Sequence, residues 1–491
     1  MENESTLRFL PLSDGKQPLF MWTIIPLLKI FEDPLVAGRM VSVLTGFGTL
    51  AGIFVLTLYL FKKIRVALIS ALIYAISPFA VFFDRMALAD SMLTMFGVWV
   101  LLGGIITAKT LRLDLAMLTG FSLGGALLTK SPALFYSLLT PLNILFVAVV
   151  TKGRPFKKSF SVVAKFVCLL LVIYLIGYTI YNILRLGANF HLIGQRNQDY
   201  VLPLSHILTS PLDPFLPYFD RSKEWLLMLG PAGLVLLAIL GLVLGVKSFT
   251  KETLVLFTWA IFPILVQSEF AKVITARYIL FSLPPIILLA SLLFCLRSEW
   301  LQKISLGVLA IFFLTALEFD FQLLTNPERA NLPQSERSGY LEEWTAGTGI
   351  REVAEFFKTR HYQNPDERII IGTEGYFGTL PDGLQIYLAD VPNITVIGVG
   401  LTLSEVPEQL INAKKAGDTV YLIANSSRIL DKFERDATLA ANKAEKLGMK
   451  VVASYPKTKR ASTDTHPFLF YGERDILYLF EVTSSAVSPI K

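Results

Sequence analysis

Long apolar runs alternate with short charged loops from Leu19 to Leu324, and beyond that point the chain turns mixed and polar. A helix needs roughly 20 predominantly apolar residues to cross a hydrocarbon core about 30 Å thick. By that measure the candidate spans are 36–61, 66–83, 91–108, 114–129, 132–150, 160–186, 225–246, 253–270, 278–296 and 304–323. The fourth is short, which predicts a tilted or partly broken segment. The stretch 19–31 is too short to span; its one-sided apolar residues and Trp22 predict a helix lying in the membrane interface. The pattern divides the chain into an outer N-terminal segment (1–35), a membrane domain of about ten helices (36–324) and a C-terminal domain (325–491).

The periodicity changes in that last domain. Ile350, Val353, Phe356 and Phe357 mark a helical pattern over 340–359. Short β-rich runs follow at 368–372, 394–399, 419–424, 451–454 and 476–482, with charged helical stretches at 404–416 and 430–447. Strands alternating with helices predict a small α/β domain. The glycines of 372–378 form neither a GxGxxG nor a Walker pattern, so no nucleotide site is expected. The domain is expected to recognise or position a partner, without catalytic chemistry. The fold class is therefore a polytopic α-helical membrane protein with a C-terminal soluble α/β domain.

Composition agrees with a membrane protein. Of 491 residues 53% are hydrophobic and only 17% charged, against about a quarter charged in soluble proteins. The net charge of +6 sits mostly in loops between apolar runs, which points to membrane topology and away from nucleic acid. The two cysteines, Cys168 and Cys295, both lie inside apolar runs and offer no disulfide framework. His191, His206, His361 and His466 show no ligand spacing. No cofactor is required by these residues, and a divalent metal is left open without support. Residues 1–16 contain no apolar core of a cleavable signal.

Lys and Arg in alternate loops set the orientation. Lys62, Lys63, Arg65, then Lys109 and Arg112, then Lys152, Arg154, Lys157 and Lys158, then Lys247 and Lys251, then Arg297 and Lys303 lie in short, dense loops. The opposite loops are longer and poorer in positive charge, so the first set is cytoplasmic. Residues 1–16, the 187–224 loop and the tail then lie outside the cell membrane.

Lys16, Arg39, Arg85, Lys130, Lys272 and Arg277 all map to outer ends of spans, with Asp14, Asp84, Asp90 and Glu269. Charges at membrane depth cost a few kcal/mol each and face a cavity or a partner. A single cation at a helix end is ordinarily snorkelling to the interface, but these recur at successive outer ends. Cations and carboxylates gathered on one leaflet suit a lipid-linked phosphate beside an acid or base.

Five local strings carry a resemblance. Asp14-Gly15-Lys16-Gln17-Pro18-Leu19 with Trp22 resembles the G-K-P-P-L-x-x-W motif of the PMT/ArnT-like membrane glycosyltransferases of GT-C fold, glycosyltransferase family 39 and its relatives. Ala37-Gly38-Arg39 resembles their A-A-R segment, and Arg85-Met86-Ala87-Leu88-Ala89-Asp90 their R-x-A-x-x-D stretch. Leu127-Leu128-Thr129-Lys130-Ser131-Pro132 is similar to L-T-K-G-P, and Ala276-Arg277-Tyr278-Ile279-Leu280 with Pro284 to R-Y-x-L-P. The five occur in family order across residues 14–284; the tail lies outside the resemblance.

The resemblance implies transfer of a sugar from a polyprenyl-phosphate donor to a hydroxyl of a protein, lipid or glycan at the outer membrane face. It implies a cationic clamp on the departing phosphate, for which Lys16, Arg39, Arg85, Lys130 and Arg277 match motif positions. Tyr278 joins them as a substrate contact, and Lys272 is added by position alone. Family members place a first transmembrane helix and an acidic loop before the lysine motif. Here Lys16 arrives with no preceding span, so the expectation is a sequence that starts downstream of that helix. Asp90 is then the leading catalytic carboxylate and Asp84 the next. Asp90 would equally serve as a helix N-terminal cap. Gln17 and Ser131 depart from the family's Pro and Gly, and Gln17 loses the backbone angle that proline fixes.

Two other classes compete. A transporter or flippase for lipid-linked substrates requires two matching halves with interrupted spans, and no such internal repeat is visible. A non-catalytic scaffold that binds lipid phosphate and recruits partners through its tail needs only the cations.

Overall fold

The structure is a computed structural model that describes residues 15–151, 156–401, 403–430, 436, 438–460 and 474–483. Asp14, Lys152, Arg154 and His466 lie outside the described residues. The chain forms two compact units, Met1–Asn331 and Leu332–Lys491.

The first unit opens with α1 (Leu19–Leu28), α2 (Pro34–Phe61), α3 (Ile64–Ala75), α4 (Pro78–Asp84), α5 (Ala89–Thr110) and α6 (Leu113–Thr129). Seven of its helices are long and apolar enough to cross a membrane: α2, α5, Ser159–Leu186, Pro231–Ser248, Thr250–Phe270, Ala276–Cys295 and Glu299–Thr325. This is a multi-pass membrane protein. The three other expected spans are present in altered form. The 66–83 segment is the pair α3 and α4, bent by 57°. Pro78 opens α4 and holds Ser77 extended (φ −68°, ψ 121°), which breaks the helical path. The 114–129 segment is α6, with 17 residues. The 132–150 segment is the short helix Ser131–Val147, which opens at Pro132 and tightens to a 3-10 turn over Thr140–Asn143, where Pro141 sits.

Local chemistry sets the helix ends and contacts. Asp33 caps α2 by accepting from the Leu35 amide at 2.8 Å, with Pro34 at the first helical position. Gly120 and Gly124 of α6 let the helix Ser159–Leu186 approach closely. A Cβ at those positions would lie 2.8 and 2.7 Å from Ile176 and Ile180. Such small residues permit the backbone approach on which helix packing in lipid depends. The interfacial segment expected at 19–31 forms α1. Its Phe20 packs with Val41 of α2 and Met92 of α5, and Trp22 packs beside Leu128, Leu184 and Ile193. That contact pins the chain just after Lys16.

The second unit holds a five-stranded sheet in the order β2-β1-β3-β5-β4. β1 (Ile369–Glu374) runs parallel to β2 (Ile394–Gly400) and β3 (Thr419–Asn425), whereas β4 (Met449–Pro456) and β5 (Ile476–Val482) join antiparallel. All six residues of β1 are buried, as a central strand covered on both faces requires. Ile370 packs with Leu410, Leu422 and Phe480 on one face, and Ile369 and Ile371 pack with Phe357, Leu384 and Leu479 on the other. Truncating any of these to Ala costs about 2–5 kcal/mol. The helix expected from 340 begins only at Ile350, after Gly349, whose φ of +89° no side-chain-bearing residue adopts readily.

Candidate active site

Asp90 stands in the first turn of α5, and Lys130 is the residue at which α6 ends. The two helices pack side by side, so the start of one meets the end of the other. Lys130 Nζ donates to Asp90 Oδ1 at 2.6 Å. The Asp90 side chain is 5% exposed and the Lys130 side chain 25%, so the cation is the half that faces outward. Both termini favour these signs, since a helix start attracts an anion and a helix end a cation.

Three further motif residues join this pair. Lys130 Nζ lies 4.5 Å from the centroid of the Tyr278 ring, and Arg277 Cζ lies 5.5 Å from the same ring. Lys130 is within electrostatic reach of Asp90, Arg277 and Lys16. The backbone of Tyr278 is held by Gln267, whose Nε2 donates to the Tyr278 carbonyl at 3.1 Å. Lys16 is delivered by Gly15, at φ +69°. A Cβ there would fall 2.4 Å from the Leu192 carbonyl oxygen, so only glycine lets the chain lie on the helix Phe190–Tyr200. The next residue, Gln17, donates to Ser131 Oγ at 2.7 Å, and Ser131 donates to Asn197 Oδ1 at 2.9 Å. Lys130 thus pairs with one buried carboxylate and shares one aromatic face with Arg277, and Lys16 and Arg277 from segments far apart in sequence stand within its electrostatic reach.

The remaining candidates stand elsewhere. Lys272 Nζ donates to the Gln198 carbonyl at 2.7 Å, and its own carbonyl accepts from Tyr218 at 2.8 Å, so it ties loops together. Arg39 is exposed on α2. Arg85 lies 5.9 Å from the Phe82 ring and within electrostatic reach of Asp320. Asp84 Oδ2 accepts from the Tyr74 hydroxyl at 2.7 Å and rests against Gly46, where a Cβ would come within 2.8 Å. Among the described residues, no group of three or more His, Cys, Asp or Glu side chains is placed to hold a metal ion.

Sequence reasoning missed Tyr74, Asn197 and Asp320. Asp320 had a signal, because a carboxylate deep in an apolar run asks for a partner. Asn197 had none, since nothing along the chain connects it to Ser131.

The family model for dolichyl-phosphate-mannose-protein mannosyltransferases matches residues 15–178. No curated protein matches the sequence. Among solved structures, ArnT from Cupriavidus metallidurans in the apo state is similar at 15% identity and a TM-score of 0.50, covering 97% of this chain and 89% of that one. The same enzyme bound to undecaprenyl phosphate is similar at 16% identity and a TM-score of 0.50, with the same coverage. The archaeal oligosaccharyltransferase AglB from Archaeoglobus fulgidus gives 13% identity and a TM-score of 0.42 over 84% of this chain and 62% of that one. Residues 15–178 thus match the mannosyltransferase family model, and the chain as a whole shares the fold of the two ArnT structures.

Proposed function

We propose that this protein is a glycosyltransferase that moves a sugar from a polyprenyl-phosphate donor to a hydroxyl acceptor on the extracytoplasmic side of the cell membrane. The observation that carries the reading is the gathering of Lys16, Lys130 and Arg277 around Asp90 and Tyr278. The matched family segment contains Lys16, Asp90 and Lys130. The similar ArnT structure that holds undecaprenyl phosphate supports a polyprenyl phosphate as the donor class.

The chemistry follows from the groups present. A hydroxyl is a poor nucleophile until a positioned base takes its proton. On this reading Asp90 accepts that proton while the acceptor oxygen bonds to the anomeric carbon. The bond from that carbon to the phosphate oxygen breaks, and its electron pair leaves with the polyprenyl phosphate. Lys16, Lys130 and Arg277 meet the growing negative charge in a site poor in water, where fixed charges act most strongly. The Tyr278 face holds Lys130 and Arg277 in place through cation–π attraction. Asp84 ranks behind Asp90 because it bonds the Tyr74 hydroxyl, whereas Asp90 pairs with the motif residue Lys130. Arg39 and Arg85 are assigned to the rim that the lipid phosphate meets on entry, and Lys272 to the loop that frames it. The distribution of Lys and Arg among the loops supports an outward site and an outward C-terminal domain, to which we assign acceptor positioning.

The test is a transfer assay with purified protein in detergent and a labelled polyprenyl-phosphate sugar. Release or transfer of label that depends on Asp90, Lys130 and Arg277 is expected. Donor binding without turnover in every acceptor class tried would instead favour a scaffold.

A further inference from the structure

Lys16 and Lys130 are 114 residues apart in sequence, yet each is followed directly by one member of a hydrogen-bonded pair. Gln17 follows Lys16, Ser131 follows Lys130, and Gln17 Nε2 donates to Ser131 Oγ at 2.7 Å. Gln17 is 8% exposed, so this is a buried polar side chain with its partner in place. The serine hydroxyl then spends its own proton on Asn197 Oδ1 at 2.9 Å, at an exposed position on the helix Phe190–Tyr200. That helix is also the surface on which Gly15 rests. The hydroxyl donates its one proton to Asn197 and accepts from Gln17 on one of its two lone pairs.

The backbone of neither lysine lies inside a helix. Lys16 precedes α1 without belonging to it, and Lys130 lies in extended backbone (φ −164°, ψ 146°) between two helical segments. A flexible four-carbon stem adds to this freedom. The geometry points to Gln17 and Ser131, steadied by Asn197, as positioning residues that fix the separation of the Lys16 and Lys130 ammonium groups. The inference rests on the reading that these lysines share one donor phosphate, because two cations clamp one phosphate only at a fixed spacing. Losing the bond lets the two segments drift, and a misplacement of about 1 Å can cost as much as 100-fold in rate.

The test uses the full chain in detergent and the variants Gln17→Leu, Ser131→Ala, their double, Ser131→Thr and Asn197→Leu. The first readout needs no substrate. Competitive acetylation read by mass spectrometry gives the reactivity of Lys16 and Lys130 against exposed Lys415. Ser131→Ala and Gln17→Leu are expected to raise both reactivities several-fold and the double no further. Ser131→Thr is expected to restore wild-type values, and Asn197→Leu to have the smaller effect because its bond is exposed. The second readout is the KM for the polyprenyl-phosphate donor, expected to rise about tenfold in Ser131→Ala and to recover in Ser131→Thr. Unchanged lysine reactivity in Ser131→Ala, or additive effects in the double variant, overturns the inference. A wild-type protein that binds no polyprenyl phosphate overturns the proposed function instead, while the labelling result still decides the positioning role.

Discussion

Replacing Lys130 by Met separates the structural from the functional share of the Asp90 pair. The substitution keeps an unbranched stem and removes the ammonium that stands 2.6 Å from Asp90 Oδ1. It leaves a carboxylate of 5% exposure with its cation gone. Breaking a buried pair from one side costs about 3–5 kcal/mol, because the remaining charge loses its compensation. Donor binding loses a charge-assisted contact to phosphate as well. Such a contact is worth about 1.5–3 kcal/mol, or roughly 10- to 150-fold in affinity. The double variant Lys130→Met with Asp90→Asn removes both charges. It is expected to recover most of the stability, read by thermal unfolding in detergent, and none of the donor affinity, read by competition with polyprenyl phosphate. Donor binding within twofold of wild type in the double variant would refute the clamp. Recovered binding alongside recovered stability would show that Lys130 serves only the fold.

The other predictions divide the remaining cations, the metal question and the second unit. Arg277→Ala is expected to weaken donor binding at least tenfold, whereas Lys272→Ala, whose ammonium is engaged by the Gln198 carbonyl, changes it less than threefold; equal losses in steady-state KM would contradict the division. Transfer is expected to persist in excess EDTA, because the proposed phosphate contacts are Lys and Arg side chains; activity lost to chelator and restored by a divalent cation would count against it. In the second unit Lys457 is 2% exposed and donates to the Glu343 and Ala346 carbonyls at 2.7 and 3.2 Å. Burial lowers its pKa from 10.5 to about 8. Between those values the unfolded chain holds a proton that the folded chain has released, so this group makes stability rise with pH across the window. The shift corresponds to about 3 kcal/mol in all. Lys457→Met should remove that rise, and parallel pH–stability curves for the two proteins would show the burial argument to be wrong.

Much of this architecture was legible because membranes and sheets impose strict patterns. Among the described residues seven of the apolar runs form helices long enough to cross a membrane, since every spanning backbone must satisfy itself as helix. The five strand positions of the second unit, 368–372 through 476–482, matched β1 to β5 within a few residues, because buried β-branched runs bounded by charged helices leave little choice. What failed was length. Hydropathy does not register that Pro78 bends one span or that a turn at Pro141 breaks the regular helix of another, as the apolar count is the same either way. Motif positions singled out Lys16, Asp90, Lys130, Arg277 and Tyr278, of which Asp90 and Tyr278 contact Lys130 and Lys16 and Arg277 lie within its electrostatic reach. Lys272 shared their outer position, and its ammonium is engaged by the Gln198 carbonyl, a contact that position along the chain does not disclose. The contact between Gln17 and Ser131 was hidden for a related reason: each looked like an isolated departure from a motif, and only folding reveals that the two touch.

The most direct test is a cryo-electron microscopy structure of the protein with a polyprenyl phosphate bound. The phosphate is expected within hydrogen-bonding distance of the Lys16, Lys130 and Arg277 side chains, with the Asp90 carboxylate beside it. A phosphate seated elsewhere on the bundle, with those three side chains turned away from one another, would contradict the account.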